Sequence, residues 1–199
     1  MDREERRNQI LDTARVVFAE RGYHDARIDD IVARAKVARG TFYLYFEDKR
    51  SIFSELVDRF VVRLTEAIIA VELDDKAHTP VEQLTDNVRR VIELFLSDAP
   101  MAKILLSDAV GLDPEFDQKL MAFYSGLSEL IQRSLREGEE AGLVRPGDAR
   151  VRAFCLIGIV KELLYQSLMR RAEIPLDLMV TGVMDLVVDG ILTDAVRRR

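Results

Sequence analysis

Two short amphipathic segments, residues 28–35 and 39–46, are separated by only three residues, Lys36, Val37 and Ala38. In the first, Ile28, Ile31 and Ala35 fall on one side at helical spacing. Phe42 and Phe46 of the second, together with Ala38 just before it, lie four apart and share a face. A linker this short leaves the two helices no choice but a sharp turn against each other. Their apolar faces then need a third helix across them. The segment upstream supplies it, with Ile10, Leu11, Ala14, Val17 and Phe18 at i, i+1, i+4, i+7 and i+8. Three helices joined in this way form the helix-turn-helix arrangement, whose second short helix enters the major groove of DNA.

The rest of the chain keeps the helical period. Gly22 is expected to end the first helix. Asp48 reads as the N-cap of a long helix reaching about Leu73. Thr79 to Glu82, "TPVE", reads as a capping box with proline at the first helical position. Asp113 to Glu115 opens another helix in the same way, and Arg145 to Asp148 interrupts the chain before a very apolar helix over about 149–171. Pro175 opens the last, over about 176–195. Every proline falls at such a boundary, and no stretch alternates as a strand would. The expected fold is all-α, with about nine helices.

Placing residues 39–46 on a helix sorts its aromatic residues. Phe42 and Phe46 face the core, expected against Phe18, Ile31 and Val37. Arg39 and Tyr43 form a second row, and Thr41 and Tyr45 a third that Lys49 extends. These rows offer hydroxyls and cations of the kind that bind phosphate oxygens. Gly40 lacks a side chain and permits close approach to a duplex. The net charge of −6 opposes nucleic acid, but residues 1–50 carry 11 basic against 10 acidic residues, and Arg34 to Phe46 contains no acid. Contacts are local, because salt screens distant charge over roughly 8–10 Å.

Other classes find less support. His24 and His78 lie in different segments without a cysteine or carboxylate at metal-ligand spacing, so no metal, cofactor or catalytic residue is expected. No glycine-rich phosphate loop appears. No apolar run approaches the ~20 residues that span a bilayer. The N-terminus has charges but no apolar signal core, so a cytoplasmic location is expected. Cys155, within the apolar run Ala153 to Val160, is expected to be an inert core residue. A helical protein–protein adaptor is the alternative; it would explain the apolar C-terminal helices but not the constellation from Arg34 to Lys49.

The stretches "ILDTARVVFAERGY" and "IDDIVARAKVARGTFYLYFEDKRSIF", about Ile10 to Phe53, resemble the N-terminal signature of TetR-type transcriptional regulators. The resemblance implies a dimeric, ligand-responsive DNA-binding protein, usually a repressor, acting on a palindromic operator. It implies a DNA-binding domain over 1–48 and an effector-binding and dimerisation domain over 49–199. It implies phosphate contacts from Thr41, Tyr43, Tyr45 and Lys49, and base-facing positions at Arg39, Gly40 and Leu44. This sequence departs from the pattern at three places. Lys36 stands where the family has a turn glycine, so a residue with a Cβ must make the bend, with some strain. Ala38 stands where a serine or threonine usually caps the recognition helix. Arg27, in place of a hydroxyl residue, is expected to offer a compensating cation to phosphate.

The C-terminal part rests on pattern. A helix apolar all round is expected to be buried on all sides. With the last helix, it would build a four-helix interface between two protomers, through Phe154, Met179, Val183, Leu186, Val187 and Gly190. Phe95, Met101, Leu105, Phe116, Phe123 and Leu127, on the middle helices, are candidates to line an apolar effector site, with Lys161 and Tyr165 as its polar groups. The aliphatic character of this set, and the absence of tryptophan, point to an acyl, acyl-CoA or similar lipophilic effector.

Overall fold

The computed structural model describes residues 2–108, 114–170 and 172–191. Among these residues there are nine α-helices and no strand. They are α1 (Arg3–Asp25), α2 (Ile28–Ala35), α3 (Arg39–Tyr43), α4 (Lys49–Ala67), α5 (Pro80–Ser97), α6 (Ala99–Lys103), α7 (Pro114–Glu140), α8 (Ala149–Met169) and α9 (Leu176–Gly190). A single π turn, Ile104–Asp108, follows α6. The chain divides into two compact units, one of residues 1–63 and 98–119, the other of 64–97 and 120–199.

The first unit extends beyond residue 48, taking in most of α4 and all of α6. Its core is aromatic and aliphatic: Ile10, Phe18, Ile31, Phe42, Ile52, Val57 and Phe60 are at most 1% exposed. Phe18 meets Phe53 edge-on at 5.3 Å, and Phe42 lies 5.7 Å from Phe46. Local chemistry sets the helix ends. The Glu5 amide donates to the Asp2 carboxylate at 2.7 Å, starting α1. Gly22, at φ 77°, breaks α1 near its end, though a further turn follows before Ala26. The Ser51 amide donates to Asp48 at 2.7 Å, so Asp48 starts α4 as expected. That helix stops at Ala67, short of Leu73.

One carboxylate gathers three elements of this unit. Asp98, 3% exposed, accepts from Arg15 of α1 at 2.9 Å and from Arg63 of α4 at 3.1 Å. It also caps α6 through the Met101 amide at 3.4 Å. Both guanidiniums are only partly exposed, so removing the carboxylate would leave two half-buried cations without their counter-charge.

In the second unit, Leu135, Val144, Val183 and Val187 form a buried cluster packed by Leu84, Val88, Leu156 and Leu163. The capping box at Thr79 is present: the Thr79 amide donates to Glu82 at 2.7 Å and the Glu82 amide to the Thr79 hydroxyl at 3.2 Å. Asn87 fixes the chain after α4, accepting from the Ile69 amide at 2.9 Å and donating to the Ile69 carbonyl at 2.7 Å. The apolar helix α8 departs from expectation. Within the protomer only Ala153 and Leu164 are fully buried on it, while Val151 and Phe154 are more than half exposed. Cys155 is exposed as well and is not a core residue of the protomer.

Candidate nucleic-acid interface

The bend between α2 and α3 is made by Lys36 at φ 55° and ψ 44°, the only non-glycine residue with positive φ among those described. The Lys36 amide donates to the Ala33 carbonyl at 3.3 Å and the Val37 amide to the Val32 carbonyl at 3.1 Å, closing α2. Ala38 occupies the N-cap of α3 and supplies no side-chain bond, as its methyl requires. The helix is shorter than 39–46. After Tyr43, turn-type bonds to the Phe42 carbonyl from the Tyr45 and Phe46 amides, both at 3.0 Å, carry the chain to Phe46.

The rings separate as the spacing requires. Phe42 and Phe46 are buried, Tyr43 is 47% exposed, and Tyr45 is half-buried. Leu44 is 70% exposed, an aliphatic side chain left in water at the end of the outward row. A Cβ placed on Gly40 would meet nothing within 4 Å. Packing inside the protomer therefore does not demand glycine there, and the surface above it is open. Thr41 is half-buried, and Arg27 stands exposed at the N-cap of α2, with its own amide donating to Asp30 at 3.0 Å.

The basic residues are less free than the sequence suggests. Arg34 is paired with Glu20, and Arg39 with Asp29 at 2.8 Å. The Arg39 guanidinium also lies 6.0 Å from the Tyr43 ring centroid. Bonding to Tyr43 and the charge of Asp29 hold that guanidinium more firmly protonated than usual. Neither acid is in the acid-free stretch from Arg34 to Phe46; both come from neighbouring helices, which no linear count can find.

Lys49 departs furthest from expectation. Its ammonium donates to the carbonyls of Tyr23, His24 and Ala26 at 2.7, 3.0 and 3.0 Å. It also sits 4.5 Å from the centre of the Tyr23 ring. Burial pulls its pKa below the ordinary lysine range, opposed by Asp25. All three donors are engaged in closing the end of α1, so Lys49 can reach a phosphate only by releasing one of them. Its place in the sequence, at the start of α4, gave no sign of this.

The effector candidates fall in two places. Met101 and Leu105 are buried in the first unit, and Phe95 in the second. Phe123, Leu127 and Tyr165 are half-buried in the second unit, and Lys161 is exposed there. The side chain of Phe116 lies outside the described residues. Lys161 stands 5.7 Å from the ring of Tyr124, a residue the spacing did not single out. Burial raises the pKa of Tyr124.

The interface candidates also divide. Met179, Val183 and Val187 are at most 3% exposed inside their own unit, so they have no area left to offer a partner. Phe154 and Leu186 are 52% and 61% exposed, and Leu178, which was not singled out, is 61% exposed. Gly190 is also exposed. On α9, Met179, Val180, Val183, Met184 and Val187 thus serve the protomer's core, and Leu178 and Leu186 face outward.

Comparison with known proteins gives a consistent answer. Residues 10–56 match the family described as bacterial regulatory proteins, tetR family, and residues 77–164 match the tetracyclin repressor-like C-terminal domain. The chain is 29% identical over 188 residues to the fatty acid metabolism regulator protein of Bacillus subtilis, covering 92% of this chain and 94% of that protein. It is similar to the fatty acid degradation regulator FadR of Bacillus halodurans, with a TM-score of 0.75 at 27% identity, covering 96% and 98% of the two chains. It is similar too to the transcriptional regulator FadR of Bacillus subtilis in complex with stearoyl-CoA, with a TM-score of 0.72 at 28% identity, covering 92% and 98%.

Proposed function

The chain belongs to the TetR family of bacterial regulatory proteins, and on that premise we propose that it is a dimeric repressor released from a palindromic operator by a long-chain acyl-CoA or a related acyl compound. DNA reading falls within residues 1–48, and effector binding and dimerisation within 49–199. The observation that carries the first part is the outward row of α3. Tyr43 and Leu44 are exposed around a glycine whose open space nothing in the protomer fills. Arg39 and Leu44 present a guanidinium and an aliphatic group to base edges, Thr41, Tyr43 and Tyr45 hydroxyls to phosphates, and Arg27 a cation beside them. Lys49 serves mainly to lock α1 to the start of α4.

Two copies of α3 read two half-sites only if held about 34–36 Å apart, one turn of B-DNA. The exposed side chains of Val151, Phe154, Leu178 and Leu186 supply an apolar face through which α8 and α9 hold a second copy. The acyl effector is supported by relatives named for fatty acid metabolism and fatty acid degradation that span more than nine-tenths of the chain. By linkage, an effector that weakens DNA binding must itself bind the DNA-bound form more weakly. No described helix is long and apolar enough to cross a membrane, and the described residues contain no metal-binding cluster. We place the protein in the cytoplasm, beside its operator.

The test is fluorescence anisotropy on a palindromic duplex recovered by in vitro selection. Tyr43→Phe and Tyr45→Phe should each fold normally and weaken binding by about 1–3 kcal/mol, the worth of a hydrogen bond to a charged oxygen. Stearoyl-CoA should then release the wild-type protein at concentrations where coenzyme A alone does not. Unchanged affinity in both variants would remove the hydroxyls from the interface, and a duplex insensitive to every acyl-CoA tested would remove the effector class.

A further inference from the structure

Asp29 opens the first turn of α2, ten positions before Arg39, yet its carboxylate meets the Arg39 guanidinium at 2.8 Å. Both side chains are more than half exposed, 64% and 58%. An exposed pair of this kind adds little to folding. It nevertheless gives Arg39 two partners, the carboxylate at 2.8 Å and the Tyr43 ring with its centroid at 6.0 Å. Among the described ion pairs, this is the only one that reaches α3. Those of Arg21 with Asp30 and of Arg34 with Glu20 join α1 to α2.

The geometry points to Asp29 as a specificity residue: it positions Arg39 for base reading and discourages binding to DNA that lacks the matching base. The inference rests on the DNA-binding reading above. A free arginine loses rotamer freedom when it docks on a base edge, whereas one already paired with a carboxylate and a ring has lost part of it beforehand. A guanidinium has five donors, so bonding to Asp29 through Nη1 leaves others for the two acceptors of a guanine edge. Asp29 also acts by repulsion. A carboxylate near the groove faces phosphates and base acceptors of its own sign. At a matching site it is neutralised by an arginine that also bonds the base. At any other site the same carboxylate approaches the duplex with no compensating base contact. Asp29 thus lowers affinity for all DNA while widening the gap between right and wrong sequences.

The experiment compares wild type, Asp29→Asn, Asp29→Glu, Arg39→Ala and the Asp29→Asn/Arg39→Ala double variant, each in full-length form. The probes are the selected palindrome and a random duplex of equal length. Asp29→Asn should bind the random duplex several-fold tighter. Its ratio of selected to random affinity should fall by about 10-fold, within the range one arginine–guanine pair contributes. Asp29→Glu should recover most of that ratio. The double variant should discriminate no worse than Arg39→Ala alone, because Asp29 acts through Arg39. A ratio unchanged in Asp29→Asn, or losses that add in the double variant, would overturn the inference. Selection that recovers no preferred duplex for the wild type would instead overturn the DNA-binding reading itself.

Discussion

Phe18, Phe42 and Phe60 in the first unit are at most 1% exposed, whereas Phe154 on α8 is 52% exposed. Both regions are rich in apolar residues, but they dispose of them differently. Around the α2–α3 turn the apolar residues recur at helical spacing, and each stripe closes on its neighbours within one chain. On α8 eight apolar residues run consecutively, from Ala153 to Val160. One helix cannot turn all of them toward its own core, so Phe154, Cys155 and Gly158 stay exposed. The first region is self-sufficient, and the second is left with a face suited to a second copy.

The largest effect that tests this contrast is in the first region. Phe42→Ala should destabilise the protein by about 3–5 kcal/mol, the usual cost of emptying a buried ring site. Chemical denaturation followed by circular dichroism measures it, and a loss near 1 kcal/mol would show that this core is loose. The second region should respond differently. Phe154→Glu or Leu186→Glu should leave monomer stability within about 0.5 kcal/mol. Each should weaken self-association by about 2 kcal/mol, roughly 30-fold, if that face is an interface core. Sedimentation velocity over a concentration series reads the change. A wild-type protein that sediments as a monomer would break the comparison. Val183→Arg is no substitute, because Val183 is 1% exposed and a charge there would unfold the unit before it reached any partner.

The smallest effect sharpens the picture of the turn. Lys36→Gly should raise stability by about 1 kcal/mol or less. The left-handed backbone penalises a side chain by roughly 1–2 kcal/mol, and glycine returns part of that through its unfolded-state freedom. Thermal unfolding of the variant decides the sign.

The sequence carries the helices and the turn almost completely, because periodicity, caps and linker length act within a few residues. Asp2, Asp48 and Thr79 start helices by bonds to amides three positions on, and such bonds are visible in a linear string. What it concealed is long-range. Lys49 engages carbonyls more than twenty positions earlier, and Arg39 finds Asp29 on another helix. Side chains read as free cations are thereby partnered. On α9 the 3–4 spacing identified an apolar face correctly as apolar, but spacing alone does not say whether it meets its own chain or another, and Met179, Val183 and Val187 meet their own.

Asp98 has a consequence for how this sequence can change over time. One buried carboxylate answers to Arg15, Arg63 and the first turn of α6 at once. A lineage that replaces Arg15 alone leaves Asp98 short of counter-charge, and one that replaces Asp98 alone strands two guanidiniums. Positions 15, 63 and 98 are therefore expected to drift together or not at all. Among relatives they should appear as a set, charged in all three places or apolar in all three, however freely the surface residues between them vary.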